Sequence, residues 1–175
     1  MRYQYKREPL IRDEANRLAN ECQTPIEKLV VWTLLDTGLR VSELAGLTKQ
    51  NVDWQAHRLM VYGKGGPYGS QSKRRVIPLS SRVQPLLEGH LSLYDQVGVS
   101  PRTIQRLVKQ VANRAAITRP VSPHVLRHTF SVECIRKGIS TPALQRLLGH
   151  DRLATTEIYL NLSPEDVVRE FNEKW

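Results

Sequence analysis

VSPHVLRHTF, residues 121–130, is the stretch on which the reading of this chain turns. The Ser122-Pro123 pair opens it as a helix, because a hydroxyl at the cap accepts an orphan backbone N–H and a proline in the first turn has no hydrogen bond to lose. On that helix His124, Arg127 and His128 are spaced three and four residues apart, so all three share one face. Two histidines at that spacing suit zinc. Val125, however, stands where an H-E-x-x-H site carries its general-base glutamate, and Arg127 would set a positive charge beside the metal. The face is therefore read without a metal, and a plain use in caps and core hydrogen bonds stays open beside a catalytic one.

The same punctuation recurs along the chain. Thr24-Pro25, Ser100-Pro101, Thr141-Pro142 and Ser163-Pro164 each precede an apolar-periodic run and predict a helix start, with Glu27 and Asp166 completing capping boxes at two of them. PLIRDEANRLANEC (residues 9–22) predicts a further helix, with Leu10, Ile11, Leu18 and Ala19 at helical spacing. The helix from Pro25 ends near Gly38, and RVSELAGL (residues 40–47) makes a short one directly after that turn. Between residues 51 and 79 the period changes. NVDW, HRLMVYG and RRVIPL read as strands, separated by GKGGPYGSQSK, whose glycines and proline force a turn. Residues 81–96 begin a return to helices. The expected fold is mainly α with a small three-stranded antiparallel β-sheet (α+β), in one unit over residues 1–175.

Composition agrees with a single core: the chain has 175 residues, 40% of them hydrophobic. Its longest apolar run, LVVWTLL (residues 29–35), is far short of the roughly 18 residues that a membrane span needs, and MRYQYKREPL has no signal-peptide pattern. A soluble, cytoplasmic protein with no membrane partner is expected. Cys22 and Cys134 form no C-x-x-C pair and are expected reduced and structural. The formal net charge is +9, and it is segregated: residues 96–132 hold no Asp or Glu but carry Arg102, Arg106, Lys109, Arg114, Arg119 and Arg127. A second acid-free patch holds Lys64, Lys73, Arg74 and Arg75. Such segregation favours a polyanion, with duplex phosphate the obvious one, although a merely solvated basic surface would look the same.

Arg40 sits where one helix closes and the next opens, so its guanidinium can project into a cleft; Glu43, three residues on, can pair with it and position it. Lys64 lies in a glycine-flanked turn. Tyr159 follows His150 by nine residues in ATTEIYLNL, among polar neighbours. A phosphodiester reaction needs a nucleophile, cations on the non-bridging oxygens and a proton for the leaving oxygen. Two arginines supply planar bidentate donors, histidines supply donors or proton transfer, a lysine can act as acid, and a tyrosine can form a covalent intermediate.

Taken in order, TGLRVSEL, GKG, HVLRH and LLGHDRLATTEIY resemble the signature of the tyrosine recombinase (phage integrase-like) family. The resemblance implies the fold of that family's catalytic domain and strand breakage and rejoining on double-stranded DNA. Arg40 and Arg127 would clamp the phosphate, His124 and His150 would support the transition state, and Tyr159 would form a 3′-phosphotyrosyl link. Lys64 would protonate the departing 5′-oxygen, with Lys73 a rival because the hairpin loop is long. Glu43 and His128 would give structural support, and Lys73, Arg74, Arg75, Arg102, Arg106 and Lys109 would meet the DNA. The ester conserves the bond energy, so neither ATP, metal nor other cofactor is implied. Family members also carry an N-terminal helical domain that clamps DNA; no stretch here is long enough to be it, which suggests an excised catalytic domain or a minimal protein. Residues 163–175, SPEDVVREFNEKW, predict an amphipathic helix with Val167, Val168, Phe171 and Trp175 on one side. It would cover its own domain or dock on a neighbour in a homotetramer on DNA. A type IB topoisomerase-like enzyme and a non-catalytic DNA-binding regulator on the same fold are the alternatives.

Overall fold

Four of the described helices begin where a serine or threonine hydroxyl can reach a backbone N–H three residues ahead. The computed structural model describes residues 8–63 and 73–149. Within them α2 (Pro25–Thr37) is capped by Thr24, α5 (Pro101–Arg114) by Ser100 and α6 (Pro123–Arg136) by Ser122. Thr24 Oγ1 accepts from the Glu27 N–H at 3.2 Å while Glu27 accepts from the Thr24 N–H at 3.2 Å, so the capping box closes from both sides. Helix α7 (Thr141–Leu148) corrects the expectation by one residue: Ser140 is the cap, its Oγ accepting from the Ala143 N–H at 3.4 Å. Pro142 then takes the second helical position, where its missing N–H still costs nothing. The start expected at Ser163-Pro164 lies outside the described residues.

Helix α1 (Arg12–Asn20) also begins later than its apolar spacing suggests. The Leu10 N–H donates to Thr129 Oγ1 at 2.9 Å, which holds the entering chain extended. Alternation in that extended piece turns Leu10 inward and Ile11 outward, so Ile11, expected on the apolar face, is 58% exposed.

Helix α2 is the centre of the core. Leu29, Val30, Val31, Leu34 and Leu35 are all buried, as are Thr33 and Thr37, so this helix is covered nearly all round. It packs against α1, α5, α6 and α4 (Val83–Leu93). Each fully buried leucine contributes about 1.5–3 kcal/mol relative to an exposed one. Gly38 ends α2 with φ +61°, and an added Cβ there would lie 2.9 Å from Phe130 Cε1 and closer still to Cδ1. That glycine permits both the left-handed turn and the approach of α6. The chain then enters α3 (Val41–Ala45) immediately.

The sheet is antiparallel in the order β1 (Val52–Asp53), β2 (Arg58–Gly63), β3 (Lys73–Pro78). Leu59 pairs with Ile77 and Val61 with Arg75, and these four face inward; Tyr62 and Val76 face outward, 54% and 39% exposed. The expected hairpin loop, residues 64–72, lies outside the described residues. A smaller apolar cluster of Cys134, Leu144 and Leu148 joins α6 to α7, and α7 packs on β3. Burial pushes the Cys22 and Cys134 thiols up to about 11 and about 12, so neither is poised as a thiolate. Among the described residues no helix is long and apolar enough to cross a membrane.

Candidate active site

Arg40 is the cap residue of α3, and its side chain is 43% exposed. Its backbone N–H donates to Glu43 Oε2 at 2.7 Å and its Nη1 donates to Glu43 Oε1 at 3.0 Å. One carboxylate thus fixes both the main chain and the guanidinium of Arg40. The ion pair and the positioning role that the spacing allowed are the same interaction. Arg40 and Glu43 form part of the wall of a cleft of about 530 Å³, with Asn51 and Tyr62 among its other residues.

Arg127 lies on the second turn of α6 and is buried. Its Nη1 donates to the Gly38 carbonyl and its Nη2 to the Leu148 carbonyl at 2.6 Å. The first bond holds the guanidinium two residues from Arg40 in the chain; the second holds it at the C-terminal end of α7, where helix carbonyls concentrate negative charge. Arg127 is therefore bonded to the backbone two residues ahead of Arg40, although 87 residues separate the two arginines in the sequence. His124, one turn earlier on α6, is exposed, whereas His128, one residue after Arg127, is buried. The shared face runs from solvent into the core.

Lys64, His150 and Tyr159 lie outside the described residues. Gly149 ends α7 with φ +66°, so the chain enters His150 from a left-handed turn. Lys73 opens β3 opposite Gly63. Arg74 is exposed on the outer face, with Nη2 3.2 Å from Met60 Sδ. Arg102, Arg106 and Lys109 are exposed along the outer face of α5 and pair with no carboxylate among the described residues, while Ile104, Val108 and Val111 of that helix are buried. Arg114 and Arg119, from the same acid-free run, are held internally by Glu27 and Glu14. Part of the basic excess is thus structural.

Arg75 corrects the sequence reading. It was expected to meet DNA, but its side chain is 7% exposed and lies against Glu43. The reason is strand alternation: Arg75 shares a face with Ile77, two residues on, and that face is the core face. The period-two pattern of RRVIP carried this signal; the run of basic residues masked it. Burial alone would raise the Glu43 carboxyl, but hydrogen bonds from Arg75 and the Arg40 backbone, together with both guanidinium charges, hold it below its ordinary range.

Two arginines are thus fixed by internal carbonyl and carboxylate acceptors, with an exposed imidazole on the same helix as one of them. Comparison with known proteins points the same way. The pattern of the phage integrase family matches residues 9–166. A tyrosine recombinase of Thermosipho africanus is 34% identical over 170 residues, 90% of this chain and 58% of that protein. The chain spans a little over half the length of such relatives. The crystal structure of XerA recombinase superposes with a TM-score of 0.84 at 29% identity, covering 99% of this chain and 66% of that one. The catalytic domain of bacteriophage HP1 integrase gives 0.68 at 25% identity, covering 93% and 94%. With its family pattern matched from residue 9 to residue 166, this chain belongs to the phage integrase family.

Proposed function

We propose that the chain is the catalytic domain of a site-specific DNA recombinase that cleaves and rejoins strands through a 3′-phosphotyrosyl intermediate. The observation that supports this best is the corner at Gly38, where Arg127 binds the carbonyl just ahead of Arg40. Two guanidiniums brought to that corner would suit the two non-bridging oxygens of one phosphodiester. Tyr159 attacks phosphorus, losing its phenolic proton to solvent water as the new P–O bond forms, and the P–O5′ bond breaks. Lys64 gives the leaving 5′-oxygen its proton, with Lys73 as the rival donor; His124 and His150 stabilise the charge that builds on the phosphoryl oxygens. In the second half an incoming 5′-hydroxyl attacks the phosphotyrosine and the phenol is regenerated. The ester stores the bond energy, so the cycle consumes no nucleotide.

Double-stranded DNA is the partner, reached across the outer face of α5, and four copies on two duplexes carry out the exchange in the cytoplasm. Residues 163–175 are the segment proposed to couple neighbouring copies.

The test is covalent trapping. The protein is incubated with supercoiled plasmid at low salt in EDTA, quenched in detergent, and assayed for protein-linked nicked DNA beside Tyr159→Phe. The expected result is an adduct from the parent alone; adduct from both proteins would overturn the assignment of Tyr159, and adduct from neither would overturn the recombinase reading. Adding a second, distinguishable plasmid separates exchange between partners from simple relaxation of one.

A further inference from the structure

Arg75 is a buried cation on β3, yet it is bonded both to the carboxylate that holds Arg40 and to the end of α7. Its Nη1 and Nη2 donate to the two oxygens of Glu43, each at 2.6 Å, and its Nε donates to the Leu147 carbonyl at 2.9 Å. The same carboxylate receives the backbone and side-chain bonds of Arg40. Leu147 belongs to the last turn of α7, and the next carbonyl, Leu148, is taken by Arg127. Space around the junction is fully used: a Cβ added at Gly149 would lie 3.0 Å from Arg75 Cδ. Three donors in one plane meet three acceptors on two different elements, which a guanidinium does and an ammonium on a flexible stem does not.

We propose that Arg75 is a positioning residue of the recombination site: through Glu43 it sets Arg40, and through Leu147 it fixes the end of α7 from which the chain passes into His150. The role rests on the recombinase reading. Arg75 keeps Arg40 and the end of α7 at one spacing, and it does so without meeting DNA.

The experiment compares the full chain with Arg75→Lys and Arg75→Gln in three measurements: the rate of adduct formation, duplex affinity across a salt series, and amide hydrogen exchange. Adduct formation is expected to fall about 10- to 100-fold in both variants, as when the groups that orient reacting residues are lost. Affinity and its salt slope are expected to stay at the parental values. A phosphate contact would behave otherwise: the slope would drop by about 1 in Arg75→Gln and return in Arg75→Lys. Exchange is expected to quicken in the last turn of α7 and at the start of α3 while α2 and α4 stay protected; uniform loss of protection would show general destabilisation and overturn the positioning role. An adduct from the parent with Arg75→Lys reacting at the parental rate overturns the Arg75 proposal alone. No adduct from the parent overturns the recombinase reading and this role with it.

Discussion

Gly38→Ala tests whether the corner that joins α2, α3 and α6 is built as described. Gly38 has φ +61°, a conformation that costs an alanine about 1–2 kcal/mol. The new methyl would also stand 2.9 Å from Phe130 Cε1, and forcing a carbon into a packed ring costs about 1–3 kcal/mol. Stiffening the unfolded chain returns about 0.4–1 kcal/mol, so the expected net loss is about 1–4.6 kcal/mol. With a urea m-value of about 2 kcal/mol/M, the unfolding midpoint should fall by about 0.5–2.3 M with the slope unchanged. Adding Phe130→Leu to Gly38→Ala separates the two causes, since it relieves the contact and leaves the backbone strain. The double variant should stand above Gly38→Ala once the cost of Phe130→Leu alone is subtracted. A Gly38→Ala midpoint within about 0.2 M of the parent would refute the close approach of α6 and with it the placement of Arg127 on the Gly38 carbonyl.

Two further outcomes follow from the charges. Neutralising Arg102, Arg106 and Lys109 together to glutamine should lower the slope of log affinity against log salt by about 1 per residue, because all three stand exposed on one face of α5; an unchanged slope would remove this helix from the DNA surface. Arg114 Nη2 lies 2.7 Å from the buried Glu27 carboxylate. Burial raises that carboxyl, while Arg114 and two backbone N–H groups bring it below its ordinary 4.5. A folded value below the unfolded one gives stability that is complete above the unfolded value and lost as pH falls through the folded one. Arg114→Leu should therefore lower the stability near neutral pH by about 1.5–3 kcal/mol and move the acid-side loss to higher pH, read by denaturation at a series of pH values. Curves that superpose on the parent would contradict the pairing.

The sequence by itself determined most of the described elements and the family. Hydroxyl-proline pairs located α2, α5 and α6 because capping is local: donor and acceptor lie three residues apart, and no distant contact is needed to form the bond. The change from a period of 3.6 to a period of 2 located the sheet for the same reason, and the ordered motifs around Arg40 and Arg127 pointed to the family. Where a distant partner intervenes, local reading fails. Leu10 donates to Thr129, across 119 residues, and that bond delays α1 and turns Ile11 to solvent. Arg75 reads as one more cation in a basic patch, and only the packing of α7 against β3 and the approach of Glu43 make it an internal clasp on Glu43 and Leu147. Composition records how many charges a chain has; which of them are consumed inside depends on which carboxylates and helix ends the fold brings within hydrogen-bonding distance, and that is decided only in three dimensions.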